Sequence, residues 1–229
     1  IGILTHRAIL TPDKRDPVSG MMAEETIQEV LRITREQLSL MESVWKAVRS
    51  ELKRNGVEVL NFNKISKVDE LMSKKLFGDI KNLLFPKIID PNQALPFFWG
   101  EESYVVAFLG RSTIQKLAII PMHRVPPYLS FEIDGVQKIV LTDQLVRRFL
   151  PLLLKKENIL QSAVVKVTRN ADVFLSQMAG KEDLREKTSN MLSKRKRETP
   201  VRAKIYGKLT DPARSMLIKK LHVPEQRVF

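Results

Sequence analysis

Between Ile27 and Leu52 the residues Ile27, Leu31, Thr34, Leu38, Met41, Trp45, Val48 and Leu52 recur at alternating steps of four and three, and only Thr34 is polar. That spacing lays one continuous stripe along a helix and suits neither a strand nor a loop. It predicts a helix from about Met22 to Asn55, roughly 50 Å long at 1.5 Å per residue. Asn55-Gly56 supplies the residues that tolerate the left-handed conformation common after helix ends. Val30, Ile33, Leu40 and Val44 widen the stripe beyond a coiled-coil seam, so the expected surroundings are a helical bundle.

Before this helix, residues 1–20 read as a lead-in segment, because TPDKRDPVSG has two Pro, one Gly and mixed charge. The chain starts at Ile1 without an initiator Met or a signal-peptide layout, and is expected to be an excised piece of a longer polypeptide. After the long helix, VEVLNF (57–62) reads as a short extended link. Ser66 is a good N-cap with Asp69 three residues on, and Val68, Met72, Leu76, Ile80 and Leu83 mark one face of a second helix. Pro86 ends it, since proline lacks an amide proton and restricts Phe85 before it. Two antiparallel helices therefore form a first unit over residues 1–86.

The pattern changes over 87–229. DPNQALPFFWGEE (90–102) is turn-rich and aromatic. YVVAFL (104–109) and IQKLAII (114–120) flank GRST as a hairpin. Asp134-Gly135 marks a second hairpin turn between FEI and VQKIVL. Thr142 is placed to cap a helix through Leu145, Val146, Phe149 and Leu153 that Pro151 breaks or ends. ILQSAVVKV (159–167) reads as a strand, 181–198 as a polar helix, and PVRAKIYG (200–207) as another strand. Asp211 as N-cap with Pro212 at the first helical position opens a last helix to Leu221. The expected fold class is α+β: a long-helix antiparallel unit, then a mixed domain with a mainly antiparallel sheet.

Composition narrows the chemistry. The chain has no Cys, which excludes disulfides, Cys-ligated zinc, iron–sulfur clusters and thiol catalysis. Its longest apolar runs, YVVAFL and FLPLLL, fall far short of the ~20 residues of a membrane helix. The nine glycines form neither a dinucleotide fingerprint nor a phosphate-binding P-loop. His6, His123 and His222 make no HxxxH pair; His6 and His222 read as surface or packing residues, and His123, at a strand end, is the one with a functional reading to weigh. Glu24-Glu25 and Glu101-Glu102 are adjacent, so their side chains diverge. Residue types and spacing thus assign no catalytic residue and no metal ligand.

Positive charge is the chemistry that is present. Of a net +13, residues 181–229 carry +8, with 14 Lys and Arg against 6 Asp and Glu. Lys194, Arg195, Lys196 and Arg197 are the densest part. They read either as a solvated helix end favoured by the helix dipole or as guidance for a polyanion. No aromatic residue is interleaved over 181–199, which argues against sequence-specific nucleic-acid recognition.

Several segments, in order, resemble the bacterial polyphosphate kinases. VVKVTRNADVFL (164–175) is similar to that family's VTRNAD segment. DPNQALPFFWGEESYVVAFL (90–109) resembles its Asp-Pro…Pro-Phe passage, and KLAIIPMHRVPPYL (116–129) its Ile-Pro…Val-Pro segment. KRETPVRAKIYGKLTDPARSMLIKKLHVPEQRVF (196–229) resembles its ending in layout and spacing. The resemblance implies an enzyme of four parts: a helical N-terminal domain, a head domain and two catalytic domains related to phospholipase D. Such enzymes reversibly move the terminal phosphate of ATP to polyphosphate through a phosphohistidine, with Mg2+. On this reading residues 1–86 are the incomplete helical N-terminal domain and 87–229 the head. The phosphorylated histidine lies outside the sequence, this piece binds no cofactor of its own, and ATP and Mg2+ belong to the whole enzyme. The implied partners are the catalytic domains of the same polypeptide, a second copy in a homodimer or higher oligomer, and polyphosphate. The implied location is cytoplasmic, with or without peripheral membrane association.

The candidate contacts follow. Arg169, Asn170 and Asp172 in VTRNAD read as nucleotide or polyphosphate contacts, or as turn formers and a domain interface. Phe97, Phe98 and Trp99 read as a dimer or interdomain contact, since such a cluster is costly to leave in water. Without the resemblance, the alternative is a stand-alone polyanion- or nucleic-acid-binding α+β protein.

Overall fold

The structure, a computed structural model, describes residues 1–100, 102–169 and 200–229; the polar helix expected over 181–198 lies outside them. Helix α1 (Gly2–Leu10) opens the chain, followed by the long α2 (Ala23–Arg54). A short strand β1 (Val57–Val59), α3 (Lys67–Ile80) and the edge strand β2 (Lys87–Ile89) come next. Strands β3 (Ser103–Gly110), β4 (Ile114–Pro121), β5 (Tyr128–Ile133) and β6 (Val136–Leu141) lead to α4 (Thr142–Arg148) and α5 (Leu150–Leu153). Strands β7 (Ile159–Arg169) and β8 (Pro200–Tyr206) precede the last helix, α6 (Asp211–Leu221). The architecture is α+β: N-terminal helices, then a mainly antiparallel sheet domain.

The main sheet has the order β2-β4-β3-β7-β8 and is antiparallel throughout. At its centre, β3 is apolar without alternation because both its faces are covered. Val105, Ala107 and Leu109 join a core beneath α3, α4 and α5. Tyr104, Val106 and Phe108 join a second core with Leu217 and Leu221 of α6. A smaller mixed sheet, β1-β6-β5, pairs β1 in parallel with β6. Asp134 and Gly135 turn the β5–β6 hairpin with φ of 51° and 74°, the left-handed pair that such a two-residue loop requires.

Several expectations meet a different packing. The lead-in contains α1, which lies along α2. The link VEVLNF contains β1, completing the small sheet. Helix α2 has the predicted span, but of its stripe only Ile27 and Leu31 are buried, together with Ala23 one step before it. Bundle packing stops there: Leu40 is 63% exposed, Met41 61% and Trp45 44%. In α3 the buried line is Asp69, Ser73, Phe77 and Ile80; of the predicted face Ile80 is buried and Met72 and Leu76 pack half-buried against the same core, while Val68, and Leu83 beyond the helix end, are exposed. Ser66 caps α3 as expected, its Oγ accepting from the Asp69 amide at 3.0 Å. Thr142 does not cap α4: Leu141 holds that position, and Thr142 is the first helical residue. Likewise Thr210 precedes α6 as N-cap, with Asp211 inside the helix. Edge strand β2 carried no apolar alternation to reveal it.

Lys138 on β6 ties three elements together, donating to Glu58 of β1 at 2.6 Å and standing 3.8 Å from Asp69 of α3. The hydrogen bond from Lys138, with a second from Lys53, holds the Glu58 carboxyl below its ordinary 4.5. A depressed carboxyl pKa contributes stability that is present above the unfolded value and lost as pH falls through the folded one. Urea midpoints measured at falling pH should therefore drop more steeply below about pH 4.5 in the wild type than in Glu58→Gln.

Two glycines should respond oppositely to alanine. Gly110 closes the β3–β4 turn at φ +155°, where a Cβ would stand 1.9 Å from the Thr113 carbonyl oxygen. Gly110→Ala should destabilise by at least about 2 kcal/mol, because the backbone itself must move. Gly78 is inside α3 with open space around it. Gly78→Ala should stabilise by about 0.5–1 kcal/mol through lower unfolded-state entropy and better helix propensity. Denaturant unfolding of both variants checks the pair.

Candidate functional site

Antiparallel pairing places the end of β7 beside the start of β3: Lys166 is opposite Ser103, and Arg169 lies three residues on. The loop before β3 carries Phe97, Phe98 and Trp99, so residues some seventy apart in sequence meet here. Arg169 Nε donates to the Phe98 carbonyl at 2.7 Å. Its guanidinium carbon stands 4.0 Å from the centre of the Phe97 ring, a cation–π contact. Burial pushes the Arg169 pKa down, with the Tyr104 hydroxyl acting the other way.

Phe98 is the loop's anchor. It is 1% exposed and stacks on Tyr104 at 4.0 Å with planes 12° apart. Phe97 and Trp99, on either side, meet edge to face at 5.3 Å and remain 38% and 45% exposed. The Trp99 amide donates to Tyr104 Oη at 2.8 Å, and that hydroxyl donates to Glu102 Oε2 at 3.1 Å. Burial pushes the Tyr104 hydroxyl up to about 12, opposed by the Trp99 amide and aided by the Glu102 carboxylate. The two groups read separately from the sequence, Arg169 and the aromatic triplet, are thus one constellation. Asn170, Asp172 and Lys194, Arg195, Lys196 and Arg197 lie outside the described residues.

Two clefts flank this constellation. One, of about 260 Å³, is lined by Phe97, Phe98, Arg169, Pro200, Lys220 and His222 among others, with no acidic residue among the described ones. Lys220 Nζ donates to the Gln93 carbonyl at 2.5 Å, and His222 closes α6 in the left-handed conformation at φ 54°. Nothing in the sequence marks Lys220 and His222 as site residues; their nearness to Arg169 comes from α6 packing across the sheet. The second cleft, of about 430 Å³, is lined by Glu102, Ser103, Met122, His123, Thr142 and Asp143 among others, without Lys or Arg among the described residues. His123 Nδ1 stands 3.6 Å from Glu102 Oε2. On the sheet surface Lys166 registers opposite Lys204 and Thr168 opposite Arg202, whose Nη2 donates to Thr168 Oγ1 at 3.3 Å. Among the described residues no group of three or more His, Cys, Asp or Glu could hold a metal ion. No helix among them is long and apolar enough to cross a membrane.

Comparison with known proteins places these features in a family. Residues 69–229 match the polyphosphate kinase middle domain. The polyphosphate kinase of Halalkalibacterium halodurans is 22% identical over 228 residues, which cover 95% of this chain and 32% of that protein. The Mycobacterium avium polyphosphate kinase is 24% identical over 191 residues, 77% of this chain and 26% of that protein. The crystal structure of polyphosphate kinase from Porphyromonas gingivalis superposes with a TM-score of 0.58 at 14% identity, over 90% of this chain and 33% of that one. The chain thus spans about a third of the length of the relatives it matches. With the middle-domain match running through both cores and both clefts, the chain belongs to the polyphosphate kinase family.

Proposed function

We propose that this chain is the supporting part of an enzyme that reversibly transfers the terminal phosphate of ATP to polyphosphate, with the reacting groups outside residues 1–229. The family match over residues 69–229 carries this reading. The phosphohistidine and the Mg2+ that such a transfer uses are assigned to the catalytic domains of the same polypeptide. In this reading none of His6, His123 and His222 is the phosphorylated histidine.

Its own work is mechanical and electrostatic. The half-exposed Phe97 and Trp99 offer an aromatic surface for a second copy or for a catalytic domain, held in place by buried Phe98 and by Arg169. The cleft beside Arg169, lined by Lys220 and His222, offers positive potential to a phosphate-bearing chain or nucleotide. Asn170 and Asp172 extend that contact in this reading. Lys194, Arg195, Lys196 and Arg197 gather polyphosphate from solution.

Incubated with ATP, Mg2+ and a polyphosphate primer, the 229-residue chain should release no ADP above a heat-killed control. The transfer needs an activated nucleophile and cationic stabilisation of the developing phosphoryl charge together. Clear turnover would overturn the supporting role.

Polyphosphate binding should be mainly Coulombic and should weaken steeply as salt rises, because counterion release drives association with a flexible polyanion. Replacing Lys194, Arg195, Lys196 and Arg197 by Gln should lower affinity and flatten the salt dependence with little change in melting temperature. Fluorescence titration with labelled polyphosphate at several salt concentrations reads both effects. Unchanged binding would reduce the four residues to a solvated surface.

A further inference from the structure

Strand β5, with the sequence YLSFEI, ends the small sheet β1-β6-β5, and its outer edge meets no strand among the described residues. The hydrogen bonds of β6 show which backbone groups face that edge. Gln137 donates to the Gly56 carbonyl and Ile139 accepts from the Leu60 amide, both at 2.9 Å, so these two residues turn toward β1. Backbone groups alternate in direction along a strand, so Val136, Lys138 and Val140 turn toward β5, where the register sets them opposite Ile133, Phe131 and Leu129. Tyr128, Ser130 and Glu132 therefore point their amides and carbonyls away from the sheet. Their side chains are exposed, while Phe131 is buried and Leu129 and Ile133 pack against the core. The other edges are short or covered. Strands β1 and β2 have three residues each. Beside β8, Phe229 donates to the Ala203 carbonyl at 3.0 Å and accepts from the Ile205 amide at 2.8 Å. Strand β5 has six residues in unbroken register with β6, with no Pro, Lys or Arg among them. Such an edge is a template for another strand.

We propose that β5 pairs antiparallel with β5 of a second copy of this chain, about a twofold axis at Ser130, so that two small sheets become one. Only this register engages all three outward residues, each pair exchanging two backbone hydrogen bonds. A twofold axis at Leu129 or Phe131 would engage two of the three. Centred on Ser130, Tyr128 lies opposite the partner's Glu132, and Ser130 opposite the partner's Ser130, on the exposed face. Leu129 lies opposite the partner's Phe131 on the face that continues the core. The one charge of the strand, Glu132, thus meets a phenol rather than its own copy, and no like charges are opposed. This self-complementarity is what selects a second copy over another partner: one isologous contact satisfies every outward group and closes on itself. The surface is separate from that of Phe97 and Trp99, and the inference does not rest on the family reading.

Sedimentation velocity of the 229-residue chain over a concentration series tests it, and a monomer–dimer equilibrium is expected. Ser130→Pro should weaken the dimer about tenfold or more, because it removes both amides from the central pair. It spares the β5–β6 ladder, to which the outward-facing Ser130 amide contributes nothing. Ser130→Lys sets two ammonium groups opposite each other and should weaken the dimer as well, without loss of the monomer fold by circular dichroism. The chain has no Cys, so single cysteines report the register. Ser130→Cys should give a disulfide-linked dimer on mild oxidation, since directly opposite residues have Cα atoms about 5.5 Å apart, within disulfide reach. Glu132→Cys should not, because its two copies are offset by four residues, about 13 Å along the strands. A strictly monomeric chain would overturn the proposal. So would a dimer that both Ser130→Pro and Ser130→Lys leave unchanged, which places the contact elsewhere, as on the Phe97–Trp99 surface. Equal cross-linking of Ser130→Cys and Glu132→Cys would overturn the register and the proposal with it.

Discussion

Strand β3 is buried on both faces, and the domain is arranged to keep it so. Its alternate residues serve two cores, Val105, Ala107 and Leu109 under α3, α4 and α5, and Tyr104, Val106 and Phe108 under α6. A strand covered on both sides must also be hydrogen-bonded on both edges, since each unpaired backbone group away from water is costly. Strands β4 and β7 meet that need, and their own outer edges are closed by β2 and β8. The covering helices arrive from distant parts of the sequence. Phe77 of α3, Leu145 of α4 and Leu217 of α6 are all essentially inaccessible to water. Truncating any of them to Ala would open a cavity against the same strand, the kind of change that removes about 2–5 kcal/mol.

This arrangement also positions both clefts. The Phe97–Glu102 passage runs directly into β3, so whatever orders that strand orders the passage. Tyr104 is the hinge between the two. Its ring stacks on Phe98 in the core, while its hydroxyl links the Trp99 amide to Glu102. Glu102 then faces the acidic cleft, and Phe97 and Arg169 face the basic one. A hydroxyl pKa pushed up to about 12 reflects how far this group is withdrawn from solvent. A single buried phenol thus joins two surfaces of opposite charge.

Much of this was legible in the residues, and the parts that were not share a cause. The β3–β4 pair, the Asp134-Gly135 hairpin, the Ser66 cap and the span of α2 each depend on local chemistry, and local chemistry is what a sequence displays. Periodicity also states that a face seeks a partner without stating which. In α2 the stripe predicts burial along its whole length, whereas only the first third of the helix has buried residues. In α3, Asp69 is buried with its carboxylate satisfied by the α3 N-cap Ser66 and by Lys138, which packing brings close from β6, while the neighbouring Ser73 is buried without a partner for its Oγ. Strand β2 and helix α1 escape a reading of the sequence for the same reason: their order comes from a neighbour rather than from their own pattern. For the site, Arg169 and Phe97–Trp99 were each visible as residue types, but their meeting depends on the antiparallel register of β3 and β7.

Register therefore decides the chemistry as well as the fold. A shift by one residue between β3 and β7 would turn Arg169 to the opposite face of the sheet, since side chains alternate with a period of two. It would break the bond to the Phe98 carbonyl and leave the Phe97 ring without its cation. The same slip would bring Lys166 into the core in place of Val165 or Val167, both fully buried. Burying an unpaired ammonium costs far more than one cation–π contact returns. The apolar alternation of β7 thus holds Arg169 in place more firmly than any contact Arg169 makes itself.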